Sequence, residues 1–201
     1  MSRNKTSPRR QHPDIEVRAA ATKLFAAAFE VFPSLAQKYL GGFAFALEDV
    51  PSRIPKRGFI PLDAWLDTFD RVLADIGPNV LFQIGQRVVN NPHFTEDAKT
   101  LEDALRQVDI AYHKSHRKGG LMMYESSGRR MLEGIGHYQV TGERANKAFV
   151  ITSDTPYPCP LEQGIVSSIA ALYEPRALVV HQGTDECRMK GAHACSYLVS
   201  W

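Results

Sequence analysis

Residues 187–197 read CRMKGAHACSY and residues 157–169 read YPCPLEQGIVSSI. The two strings hold all three cysteines of the 201-residue chain: Cys159, Cys187 and Cys195. Cys187 and Cys195 stand eight apart around Gly191. In a hairpin, that even spacing puts both side chains on one face and close together. Cys159 precedes Pro160, which suits the first position of a helix over residues 160–173. The free N–H groups and dipole of a helix N-terminus favour thiolate over thiol. Three cysteines are an odd number and too few for a disulfide framework. Gathered at one point, three thiols suit a soft metal, most simply Zn²⁺; the plainer reading is three small buried hydrophobes.

A fourth ligand would come from His181, Asp185, Glu186 or His193. His181 is preferred, because it ends a strand expected over residues 176–181 and can turn toward the hairpin. Glu186 neighbours Cys187 on an expected strand over residues 186–189, so it points to the opposite face.

Upstream of these strings the period is helical, then changes. Residues 14–32 are Ala-rich, with Phe25, Phe29 and Phe32 at helical spacing, and predict a helix that Pro33 ends or kinks. Residues 34–47 predict a second helix, and Pro51, Pro55 and Pro61 a loop. Leu62, Trp65, Leu66, Phe69, Val72, Leu73 and Ile76 follow one helical stripe, which Gly77 and Pro78 stop. Residues 79–90 continue as a helix. Thr100 and Asp103 resemble a capping box opening a helix that runs to about His116. After Gly119 and Gly120, residues 121–125, 131–140 and 145–152 read as strands, with turns at Ser127-Gly128 and Thr141-Gly142. Residues 195–201 read as the last strand. The expected fold is α+β: a helical N-terminal half packed on a mainly antiparallel sheet.

Composition bounds the function. With 44% hydrophobic and 23% charged residues, the chain is that of a globular protein. No apolar run is long enough for a membrane span, and the start lacks the apolar core of a secretory signal, so a cytoplasmic protein is expected. Residues 1–13 carry Arg3, Lys5, Arg9 and Arg10 and no acid, which predicts a disordered basic tail before a single domain over 14–201. That domain is close to neutral and offers no broad footprint for nucleic acid. No G-x-S-x-G elbow, dinucleotide motif or phosphate loop occurs, so the chain leans away from an enzyme.

The two cysteine strings resemble the end of a 4-vinyl-reductase-type domain. That family is related in fold to heme-NO-binding domains and includes the sensor domains of phenol-responsive activators. The shared pattern is a Cys before a Gly-containing helix, then C-x3-G-x3-C and an aromatic residue, here Gly191 and Tyr197. The match covers roughly residues 157–201. The resemblance implies a heme-NO-binding-like architecture and a Zn²⁺ site beside a small-molecule cavity. In the phenol sensors the fourth ligand is a Glu three residues before the second Cys; here Thr184 stands there, which leaves the place to His181.

The expected function is therefore a stand-alone small-molecule sensor with structural zinc on Cys159, His181, Cys187 and Cys195. An apolar or aromatic molecule would sit among Trp65, Phe69, Phe82 and Tyr112, with His113 or His137 as a polar anchor. The signal would pass to a separate output protein, and a homodimer is compatible with the sequence. The alternatives are an enzyme or accessory protein acting on a tetrapyrrole, and a haem-based gas sensor with His113, His116 or His137 as axial ligand. No C-x2-C-H motif is present, so a haem would be noncovalent.

Overall fold

The computed structural model describes residues 11–29, 33–41, 58–89, 98–183 and 187–201. The first element among the described residues is strand β1 (Ile15–Arg18), followed by helices α1 (Ala21–Ala28) and α2 (Pro33–Leu40). Strand β2 (Phe59–Pro61) leads into α3 (Leu62–Asp75), α4 (Pro78–Val88) and α5 (Leu101–Lys114). Short strands β3 (His116–Lys118), β4 (Leu121–Met122), β5 (Tyr124–Glu125) and β6 (Arg130–Met131) follow. Then come β7 (Tyr138–Glu143), β8 (Ala148–Ser153), α6 (Cys159–Tyr173), β9 (Leu178–Gln182) and β10 (Cys195–Ser200).

All strand pairs among the described residues are antiparallel. One sheet runs β2-β1-β3-β4, a second β7-β8-β10-β9, and β5 pairs with β6 alone. The second sheet buries Phe149, Ile151, Tyr197 and Val199 on its inner face. These are alternate residues, as a one-sided sheet requires. The α+β expectation holds: a helical half meets an antiparallel sheet across one core.

The stripe over residues 62–76 is α3, with Leu62, Trp65, Leu66, Phe69 and Val72 buried. Thr100 and Asp103 form a full capping box: Asp103 N–H donates to Thr100 Oγ1 and Thr100 N–H to the Asp103 carboxylate.

Several local expectations change. Residues 14–32 are not one helix, because Ile15 and Val17 alternate with Glu16 and Arg18 and pair with β2 and β3. The Ala-rich composition hid a four-residue period of two. Phe59–Pro61 is a strand rather than the expected loop; the rest of that segment, and the end of the helix expected over 34–47, lie outside the described residues. The strand expected over 121–125 breaks at fully buried Met123, and the one over 131–140 is split between the end of β6 at Met131 and the start of β7 at Tyr138. Gly142 lies within β7; the turn is a 3₁₀ piece, Arg144–Asn146, closed by Lys147 at φ 49°. No hairpin links Cys187 to Cys195. Residues 188–190 form a 3₁₀ turn ended by Gly191 at φ 98°, and β10 pairs instead with β8 and β9. His12, placed in the basic tail by sequence, is buried, and its N–H donates to Asp63.

Candidate functional site

Helix α6 places Cys159 at its first residue, and β10 starts at Cys195, in register with Ser153 of β8. Cys187 precedes the 3₁₀ turn and is held there by its carbonyl, which accepts from Lys190 N–H at 2.7 Å and Ala192 N–H at 3.1 Å. The three sulfurs lie 2.9, 3.1 and 3.8 Å apart, all free and buried. A tetrahedral zinc site with zinc–sulfur bonds of about 2.3 Å has sulfur–sulfur edges of about 3.8 Å, so a metal would spread the two short pairs. His181, on β9 opposite Tyr197, has a ring nitrogen within 4.8 Å of all three sulfurs. Its Nε2 is buried with no hydrogen-bond partner among the described residues.

The cluster has the donor set and the orphaned nitrogen that a Cys3His zinc site requires. The bond from Cys159 pulls the Cys195 thiol down to about 4, and Arg188 assists through its N–H and its charge. The same bond, together with burial, pushes Cys159 up. His193, the other histidine considered as a ligand, lines a neighbouring groove instead. Thr184, Asp185 and Glu186 lie outside the described residues.

A buried carboxylate braces this end of the molecule. Glu162 on α6 accepts from Ser153 Oγ at 2.6 Å, Tyr197 Oη at 2.8 Å, Thr155 and Arg188. It ties α6 to β8, β10 and the 3₁₀ turn, and α6, β10 and that turn also meet at the cysteines. Sequence reading passed over Glu162 and Arg188. Glu162 as the only charged residue of its helix was the available signal.

Between the helices and the sheet lies a cavity of about 130 Å³. Phe25, Trp65, Phe69, Tyr112, Tyr157 and His116 are among its walls. Of the residues named from sequence, Trp65, Phe69 and Tyr112 line it, whereas Phe82, His113 and His137 do not. Phe82 is half-buried on α4, and His113 stacks on His137 elsewhere, with ring centroids 4.8 Å apart. The cavity's polar anchor is His116. A carbonyl only accepts, so His116 Nδ1–H donates to Tyr112 O at 2.7 Å, and Nε2 accepts from Tyr157 Oη at 2.9 Å. Burial lowers its pKa to about 4, so the ring is neutral.

The sequence matches no family model and no curated protein. Solved structures do match. An H-NOX protein from S. oneidensis in the Fe(II)NO state aligns with TM-score 0.55 at 12% identity, covering 89% of this chain and 97% of that one. A point mutant of T. tengcongensis H-NOX gives TM-score 0.60 at 10% identity, covering 91% and 96%. A Cs H-NOX mutant carrying the unnatural amino acid 4-cyano-L-phenylalanine gives 0.60 at 11%, covering 92% and 95%. The chain therefore has an H-NOX-like fold, as the resemblance implied; at these identities the likeness reaches the fold alone. Among the described residues no helix is long and apolar enough to cross a membrane.

Proposed function

We propose that this chain is a small-molecule sensor on an H-NOX-like fold. It takes its ligand into the cavity between helices and sheet and holds its C-terminal part with zinc on Cys159, His181, Cys187 and Cys195. The observation that carries the reading is the cavity: about 130 Å³, walled mostly by aromatic and aliphatic side chains, with the neutral His116 imidazole, held by the Tyr157 phenol, among its few polar groups. A dry engineered cavity of roughly 150 Å³ takes up benzene, so a single apolar or aromatic ring is the matching ligand class. Zinc would cross-link α6, the 3₁₀ turn, β9 and β10 as a closed structural centre. The signal would pass to a separate output protein.

A haem-based gas sensor is the second reading, and the H-NOX neighbours favour it, since those proteins are described in ferrous ligation states and with distorted haem. The residues of this cavity do not fit a haem as they stand. Of the histidines named as axial candidates only His116 lines the cavity, its Nε2 is occupied by Tyr157, and the space holds one ring rather than a porphyrin. Haem binding would require Tyr157 to withdraw and the aromatic walls to part.

The absorption spectrum of the purified protein separates the two. A Soret band, in protein as isolated or after haem addition, selects the gas sensor. A colourless protein that haem does not alter, stabilised against heat by benzene or phenol, selects the small-ring sensor. A protein that responds to neither loses both readings.

A further inference from the structure

A second group of ligating side chains lies outside the cavity and the cysteine cluster. Asp109 and His113 stand one turn apart on α5, and His137 enters from the loop before β7. One ligand atom from each lies within 4.8 Å of the others. His137 Nδ1 is 3.1 Å from Asp109 Oδ2, and its Nε2 is 3.0 Å from Glu133 Oε2. His113 is fully buried; its Nδ1 is 2.8 Å from the Asp109 carbonyl and 3.5 Å from Asp109 Oδ1. Its Nε2 is buried with no partner among the described residues.

The surroundings hold these groups in place. Tyr138 N–H donates to Asp109 Oδ1 at 3.0 Å, and His137 N–H to Asp154 Oδ1 at 2.6 Å. Gly136, at φ 74°, lets the loop lie against Asp154, where a Cβ would collide with the Asp154 backbone. His137 keeps 25% exposure and lines a groove with Glu133, Asp154 and His193, and Asp109 beside it is 15% exposed.

We propose that Asp109, His113 and His137 form a binding site for a divalent transition-metal ion of the zinc type. Two imidazoles and one carboxylate are a donor set that zinc takes when a fourth position stays open. That position would accept a water or another oxygen ligand, and His137 brings the site to the edge of the groove. Glu133 accepts from the far nitrogen of His137, as carboxylates commonly do behind metal-bound imidazoles.

The test is a Co²⁺ titration of reduced, chelator-stripped protein followed by absorption. Cobalt at the cysteines gives a sulfur-to-metal charge-transfer band; cobalt at Asp109, His113 and His137 gives only weak ligand-field bands. The expected result is two equivalents in the wild type. His137→Ala and Asp109→Asn should each keep the charge-transfer equivalent and weaken the other at least tenfold. Failure of the wild type to take up the equivalent without sulfur character would overturn the proposal, as would unchanged uptake in both variants. Loss of the charge-transfer equivalent alone would count against the cysteine reading and leave this site standing.

Discussion

Gly85 of α4 and Gly164 of α6 lie where the two helix backbones touch. A Cβ on Gly85 would overlap the Leu161 carbonyl, and one on Gly164 would overlap the Phe82 carbonyl. Neither glycine has a positive φ. Each is required by the close approach, which costs about 1 kcal/mol of helix propensity per residue relative to alanine. The crossing seats α6, and with it Cys159 and Glu162, against the helical half.

Gly164→Ala should therefore destabilise the protein, although alanine is the better helix former. The atoms met are backbone, so the helices must move apart; overpacking of this kind costs about 1–3 kcal/mol. Urea unfolding of Gly164→Ala and Gly85→Ala measures it. A stability equal to or above the wild type in both would show that the helices part freely.

How legible this was in the sequence depended on the scale of the pattern. The stripe from Leu62 to Ile76 spans four turns, so α3 could be read with little error. Strand β1 has four residues, and the alanines beside it masked its alternation. The cysteine cluster was visible because three rare residues fall in two short strings, although the expected hairpin is in fact a 3₁₀ turn. The pairing of His116 with Tyr157 spans 41 positions and has no local signature. The Gly85–Gly164 crossing was equally silent, because a helical glycine reads as a weakness until its neighbour is known.

Zinc retention should separate the fourth ligand from its sequence neighbours. His181→Ala should lose most of its zinc in a chelator challenge, whereas Glu186→Ala should keep it, since the orphaned nitrogen belongs to His181. Elemental analysis after dialysis reads both. Equal retention would remove His181 from the site, and no metal in protein prepared without chelator would remove the site itself.

His116 gives a pH dependence of fixed sign. Its folded pKa, about 4, lies below the ordinary histidine value of 6.5. Above that ordinary value the ring is neutral in both folded and unfolded chains. Between 6.5 and about 4 the unfolded chain takes the proton first, so stability falls as pH falls, by about 3 kcal/mol in all. His116→Gln lacks this contribution. The gap in unfolding free energy between wild type and variant should therefore shrink from about pH 7.5 to about pH 4.5, while metal loss at the cysteines affects both chains alike. A constant gap would mean that the buried ring titrates normally.

The cavity itself can be tested by filling it. Ala21 opens α1 and lines the space beside Phe25 and Trp65. If benzene or phenol occupies the cavity, a concentration about ten times Kd should stabilise the wild type by about 1.4 kcal/mol. For a chain of this length that is a rise in Tm of about 3–6 °C. Ala21→Leu puts a branched side chain into the same volume and should abolish the rise while leaving the unliganded Tm close to the wild-type value. Tyr157→Phe leaves His116 Nε2 without its donor and frees it for a phenol hydroxyl. The variant should then gain more from phenol than from benzene, where the wild type distinguishes the two less. A ligand-induced rise that survives Ala21→Leu unchanged would place the ring elsewhere in the molecule.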